Sequence, residues 1–207
     1  MEDMFTKTEQ IWRHLIDGAH HGQRRWDSVS ALAVELDLPI STTHQALEEP
    51  RSIDILEIRG GGGVRVLDPS RLLVLWAARR RLDRDMVQRF VVPTDARTVE
   101  AALDDTSVVL GGFGAVVARL GQNNIADYST VLAYGDSPTL PDFEDTGRSC
   151  EIIVLKPDSL LRQYGTTTPL GQAWVDLFRL PGWQAGRFVY ELIPKLLTED
   201  SDALLLV

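Results

Sequence analysis

The sequence predicts an α+β chain in two parts: a winged helix-turn-helix domain over residues 1–92 and a small mixed α/β domain over residues 93–207. Three observations carry this. Residues 27–67 spell two short amphipathic helical segments, then two alternating apolar segments around four glycines, Gly60, Gly61, Gly62 and Gly63. Residues 98–197 alternate helical and strand patterns. The charge divides at the same place, with thirteen Lys or Arg against fourteen Asp or Glu before residue 93 and eight against sixteen after it.

In the first part, Phe5, Ile11, Trp12, Leu15 and Ile16 recur at helical spacing, which predicts an amphipathic helix over residues 4–19. Gly18 and Gly22 break it, and His20-His21 in the break lack further ligands nearby, so they read as solvated and no metal site is expected. The next helix starts at Asp27 or Ser28, both good caps, buries Val29, Leu32, Ala33 and Leu36, and stops at Leu38-Pro39. Ser41 is read as the cap of a second helix over residues 42–49, the recognition-helix candidate. Its Ser41, Thr42, Thr43, His44 and Gln45 are types that reach phosphates and base edges.

A hairpin follows, with Arg59 and Arg65 flanking its glycine tip where they could clamp a phosphate backbone. The glycines do not make a P-loop, because no Lys-Ser/Thr pair follows them and a strand does. The same fold also serves as a protein-binding module. Asp68-Pro69-Ser70 starts a helix that buries Leu72, Leu73, Leu75 and Trp76. Arg79, Arg80, Arg81 and Arg84 at its far end suit the helix dipole and solvent, with phosphate contact as the alternative. Residues 90–97, punctuated by Pro93, read as a linker.

The second part reads as helix 98–103, strand 107–110, helix 112–120, strand 129–134, a polar loop 135–148 and strand 150–155. Helices 158–164, 169–180 and 184–197 follow, the last to be bent or ended by Pro194, and Leu204, Leu205, Leu206 and Val207 form a docked strand or an adhesive end. Trp174 and Trp183 read as core or inter-helix packing. The single cysteine, Cys150, permits no internal disulfide and belongs in a buried strand, so a reducing cytoplasm is expected. No apolar run approaches 18 residues and the acidic N-terminus lacks a signal-peptide core, so no membrane association is expected. The acidic second part would be repelled by DNA and suits a basic protein partner.

Two segments, VVLGGFGAVVARLG at 108–121 and PLGQAWVDLFRLPG at 169–182, resemble the C-terminal domain of AbiEi-family antitoxins. There a glycine-rich strand-to-helix turn precedes a Pro-x-x-Gln-x-x-x-Asp-Leu helix, here Pro169, Gln172, Asp176 and Leu177. With the winged helix in front, the resemblance covers almost the whole chain. It implies a protein that binds and represses its own promoter DNA and counters a nucleotidyltransferase-like toxin. The near-neutral first part departs from the more basic winged helices common in such antitoxins. Gln172, Asp176 and Arg187 are the candidates for partner contact, with pairing inside the helical layer as the bland alternative for Asp176.

The Gly111-Gly112 turn before a helix, followed by Asp127, also invites comparison with a nucleotidyltransferase site. Such enzymes hold divalent metals on an Asp-x-Asp/Glu pair and a third acid. Here Asp127-Tyr128-Ser129 lacks the second acid, while Glu151 stands where the third belongs, so the expected fold is a degenerate, nucleotidyltransferase-like one. An atypical serine kinase acting on the toxin is the alternative. ATP and Mg would serve it alone, with Gly111 and Gly112 cradling phosphate, Asp127 and Glu151 as carboxylates and Lys156 neutralising charge. Otherwise no cofactor is expected. All four histidines, His14, His20, His21 and His44, precede the second part, which excludes a nucleophilic triad there. A metabolite-responsive transcription regulator is the third reading.

Overall fold

A computed structural model describes residues 4–61, 63–104, 108–121 and 123–197. The expectations for Gly62, Ser107, the 204–207 tail and the Phe5 side chain lie outside the described residues. The described chain is mixed α+β and forms two compact units, residues 80–193 and the remainder on either side of them.

The first unit begins with α1 (Met4–His20), whose Ile11, Trp12, Leu15 and Ile16 are buried as their spacing requires. Strand β1 (Arg25–Trp26) leads into α2 (Val29–Glu35), where the Ser28 hydroxyl accepts the Ala31 N–H at 2.9 Å. Val29, Leu32, Ala33 and Leu36 are all buried. The helix is not stopped by Pro39. Asp37 takes a left-handed backbone at φ 51°, and the Leu38 and Asp37 amides bond back to the Ala33 and Val34 carbonyls, a Schellman closure with Asp in glycine's usual place.

Helix α3 (Ile40–Ser52) starts before Ser41, with Pro39 at its cap position and no side-chain cap. Ser41 therefore lies in the first turn and caps nothing. The helix also runs through Pro50, beyond the expected end at 49, and closes with Asp54 at φ 56° as α2 closes with Asp37. Strands β2 (Leu56–Ile58) and β3 (Val64–Val66) complete a three-stranded antiparallel sheet in the order β1-β3-β2. α4 (Pro69–Arg79) buries Leu72, Leu73 and Trp76, and the Trp76 indole N–H donates to Glu9 at 3.1 Å.

The second unit opens with the one-turn α5 (Leu82–Asp85) and β4 (Met86–Val92), so residues 90–97 are not a linker. β4 pairs antiparallel with a strand some sixty residues later, a partnership no local signal discloses. α6 (Ala96–Asp104), β5 (Val109–Gly111), α7 (Gly112–Leu120), β6 (Thr130–Tyr134) and β7 (Cys150–Leu155) follow. The sheet order is β4-β7-β6-β5, with β6 and β7 parallel and the outer pairs antiparallel. Residues 158–164 make only a 3-10 turn, Leu161–Tyr164, before α8 (Leu170–Arg179) and α9 (Trp183–Leu197), which continues through Pro194.

The inner strands are apolar on both faces. Val131, Ala133, Cys150, Ile152 and Val154 pack on one side with Ala96, Val99 and Leu103 of α6. Leu132, Tyr134, Ile153 and Leu155 pack on the other with Leu82 and Leu161.

The three arginines at the end of α4 do not form a basic cluster. Arg79 pairs with Glu49, Arg81 pairs with Asp83 at 2.7 Å, and Arg80 is buried at 3 % exposure. Its guanidinium donates to Asp176 at 3.3 Å, to Tyr134 Oη at 3.0 Å and to Asp85. Tyr134 Oη donates to Asp176 at 2.6 Å, and the Gln172 amide donates to both Tyr134 Oη and Asp176. Burial pushes the Asp176 carboxyl above its ordinary range, against the pull of Arg80, Tyr134 and Gln172. Removing one partner of such a pair leaves an uncompensated charge. Arg80→Ala is therefore expected to destabilise the second unit by about 3–5 kcal/mol, read as a lowered midpoint in urea unfolding. A change within experimental error would show that the network carries no stability.

Candidate functional site

In the first unit, α3 turns His44 and Gln45 outward and leaves Thr42 half-buried. Ser41 is exposed, whereas Thr43 is fully buried with its hydroxyl donating to the Pro39 carbonyl at 3.2 Å, so Thr43 is unavailable to a ligand. Its position explains this. Thr43 faces inward with Ala46 and Leu47, at the three- and four-residue spacing of a helix face.

The sheet beside α3 places Arg25, Arg65 and Glu57 in one register row across its three strands. The alternating residues Trp26, Val64, Val66 and Leu56 face the core. Glu57 accepts Arg59 Nε at 2.8 Å and lies 3.6 Å from Arg65, so the two arginines flanking the tip share one carboxylate. The hydrogen bond from Arg59 holds Glu57 below the usual carboxylate range. Arg25 has no carboxylate partner among the described residues and adds an unspent positive charge to the row. Nothing in the sequence places Arg25 on this face, because a two-residue strand has no periodicity to detect.

In the second unit the expected phosphate cradle is filled. Gly111 and Gly112 are buried; a Cβ on Gly111 would lie 2.8 Å from both Leu132 and Tyr134, while Gly112 takes a left-handed backbone at φ 49° under Leu132, Leu177 and Leu180. Gly111 admits packed side chains, Gly112 makes the turn, and apolar side chains cover the pair where a phosphate would sit.

The three catalytic candidates do not converge. Asp127 is exposed in the loop before β6. Glu151 shares the opposite sheet face with Ile153, since successive strand residues alternate, and is paired with Arg89 at 2.6 Å. Lys156 follows the far end of β7, with its backbone N–H on the Asp85 carbonyl. Among the described residues no three His, Cys, Asp or Glu side chains gather as metal ligands. No described helix is long and apolar enough to cross a membrane. Cys150 is buried, which pushes its thiol up to about 12 and makes it a poor nucleophile.

The partner candidates divide. Gln172 and Asp176 are 3 % and 0 % exposed inside the Arg80 network, so they cannot meet a partner. Arg187 is exposed on α9 and pairs with Glu191 at 3.0 Å. Beside it at helical spacing stand Trp183 and Tyr190, exposed at 70 % and 71 %. Trp183 is thus not core packing. Trp174 is, at 2 % exposure with its indole N–H on the Val189 carbonyl. Tyr190 carried no signal beyond its spacing from Arg187.

Asp127 does line an open cleft of about 670 Å³ with Asp95, Arg97, Asn123, Tyr128, Ser129, Arg148, Ser149 and Gln184. It sits at the start of α6, where Asp95 accepts the Thr98 N–H at 3.1 Å as an N-cap. Behind it, the Tyr128 hydroxyl donates to Glu100 at 2.9 Å, and the Tyr128 ring stacks on Phe113 at 4.7 Å. A Cβ on Gly114 would come within 2.6 Å of the Glu100 carboxylate, so this glycine makes room for the buried acid. Burial is the main force on Glu100 and raises it to about 7, against the Tyr128 hydrogen bond and Arg97.

Compared with known proteins, the chain is matched by no family model, no curated protein and no solved structure.

Glu100 makes stability depend on pH. A carboxyl with a raised folded pKa binds its proton more tightly when folded, so its contribution is full below pH 4.5 and is lost as pH rises through about 7. That loss amounts to roughly 3 kcal/mol at most. Glu100→Gln keeps an oxygen for Tyr128 and should flatten the fall in stability between these pH values. Urea unfolding across the pH range checks this; equal slopes for both proteins would contradict it.

Proposed function

We propose that the chain is a DNA-binding antitoxin. In this reading its first unit is a winged helix that represses the chain's own promoter, and its second unit binds a nucleotidyltransferase-like toxin. The observation that carries the DNA half is that one small unit presents both the exposed His44 and Gln45 of α3, with half-buried Thr42, and the Arg25-Arg65 row with Arg59 at the hairpin tip. A helix of these residue types suits major-groove base edges, and the flanking arginines suit phosphates. A cytoplasmic location follows from this reading.

Glu57 tempers that surface by engaging both hairpin arginines. Glu57→Gln should therefore strengthen binding to upstream DNA several-fold and steepen its salt dependence. His44→Ala with Gln45→Ala should weaken specific binding and leave the salt slope unchanged. Gel shifts over a salt series measure both. Weaker binding by Glu57→Gln would argue that the sheet does not face the backbone.

The toxin half is supported by the resemblance at residues 108–121 and 169–182 and by the exposed Trp183, Arg187 and Tyr190 stripe on α9. Trp, Tyr and Arg are the types that dominate binding energy at protein interfaces. In this reading Arg187 and its two aromatic neighbours meet the toxin, while Gln172 and Asp176 hold α8 in place. Trp183→Ala with Tyr190→Ala should abolish growth rescue when the full chain is co-expressed with the toxin, and it should leave promoter binding intact. Full rescue by the double variant would remove α9 from the interface. The kinase alternative draws no support from Asp127, Glu151 and Lys156, which stand on different faces and ends of the sheet.

A further inference from the structure

The cleft at the start of α6 has no part assigned to it in either reading above, and some of its side chains serve the fold while others do not. The side chains of Arg97, Arg148 and Asp127 are exposed, and among the described residues none of the three side chains makes a hydrogen bond or close ion pair, although Arg148 lies in the field of Asp95 and Arg97 in that of Glu100. Asp95, the other carboxylate, accepts the Thr98 N–H as the α6 cap and keeps its charge, which the Thr98 and Arg97 N–H groups and nearby Arg148 stabilise. Asn123 fastens the loop beneath Asp127, with its amide on the Ala126 carbonyl at 3.0 Å and its oxygen accepting the Ile125 N–H at 3.2 Å. This loop is therefore fixed before a ligand arrives. The cleft offers two exposed guanidinium groups, the exposed Asp127 carboxylate beside the capping Asp95, the hydroxyls of Ser129 and Ser149 and the amide of Gln184.

A purely anionic ligand would meet Asp95 and Asp127 as like charges, and a cationic one would meet two arginines. A ligand carrying both signs satisfies the guanidinium groups and Asp127 together. The volume of about 670 Å³ suits a small molecule with room for a side chain.

We propose that this cleft binds a zwitterionic ligand of the α-amino-acid class, its carboxylate held by Arg97 and Arg148 and its ammonium by Asp127. The stacked Tyr128 ring forms the apolar part of the wall. The proposal is independent of the DNA and toxin readings, because it concerns direct binding to the isolated full-length chain.

The test is isothermal titration of the full chain with each of the common L-amino acids, beside four controls: propionate, propylamine, inorganic phosphate and Mg·ATP. At least one amino acid should bind at millimolar concentration or below, and propionate and propylamine should not. Arg97→Gln, Arg148→Gln and Asp127→Asn should each weaken that binding about tenfold or more, as expected for a lost charge-assisted hydrogen bond. Circular dichroism of these variants should be unchanged, since all three side chains are exposed. Absence of binding by every amino acid would overturn the proposal. So would binding of phosphate or Mg·ATP that tightens in Asp127→Asn, which would mark an anion site instead.

Discussion

The second unit depends on taking one guanidinium and one carboxylate out of water together. Desolvating Arg80 and Asp176 costs several kcal/mol for each ion, and the cost is offset only because the surrounding groups supply the hydrogen bonds that water gave up. Asp176 accepts from Arg80, Tyr134 and Gln172, and Arg80 is shared among Asp176, Tyr134 and Asp85. Geometry this demanding sets other parts of the structure. Gln172 and Asp176 lie one turn apart, so both point inward at only one rotation of α8. Tyr134 must end β6 with its ring across the sheet toward that helix. The ring then occupies the space where a side chain at residue 111 would be, which is the reason for glycine there.

The glycine pair shows how a local pattern misleads. Two glycines between a strand and a helix look the same in sequence whether they cradle a phosphate or yield to a tyrosine. Only the partner decides, and the partner lies more than twenty residues away. Asp176 and Gln172 stand out in sequence through the antitoxin-like motif, and the structure places both in a buried network, the pairing inside the helical layer expected as the alternative for Asp176, and not on a contact surface. Arg80 stood between two surface arginines with nothing to distinguish it. Its burial follows from carboxylates at residues 85 and 176 that no spacing rule connects to it.

What was legible came from periodicity and capping, which are local. Ile11, Trp12, Leu15 and Ile16 marked α1, Ser28 marked the start of α2, and the strand at residues 150–155 emerged with its bounds and its buried cysteine as expected. β4 did not emerge. As an edge strand it exposes Val87 and Val91, so its pattern blurs where a central strand would read as continuous apolar sequence. Ser41 was an attractive cap, yet α3 begins a residue earlier because Pro39, with no N–H to satisfy and a preset φ, suits the turn before a helix. For the candidate sites, residue type was readable and orientation was not. His44 and Thr43 are adjacent and both can hydrogen-bond a ligand, and the roughly 100° between them on a helix puts one in solvent and the other in the core.

The near-neutral charge of residues 1–92 gains a physical sense from the hairpin. In the proposed DNA complex, phosphates must compete with Glu57 for Arg59 and Arg65. Non-specific association, which rests almost wholly on phosphate neutralisation, loses most from that competition. In that proposed complex a correctly docked α3 would add base contacts that the competition does not touch, and Arg25, with no carboxylate partner among the described residues, would give up none to meet the backbone. An internal carboxylate therefore lowers the affinity for random sequence more than the affinity for the right site. What matters for a repressor is that ratio and not the absolute strength, so a weakly basic reading surface is compatible with a selective one.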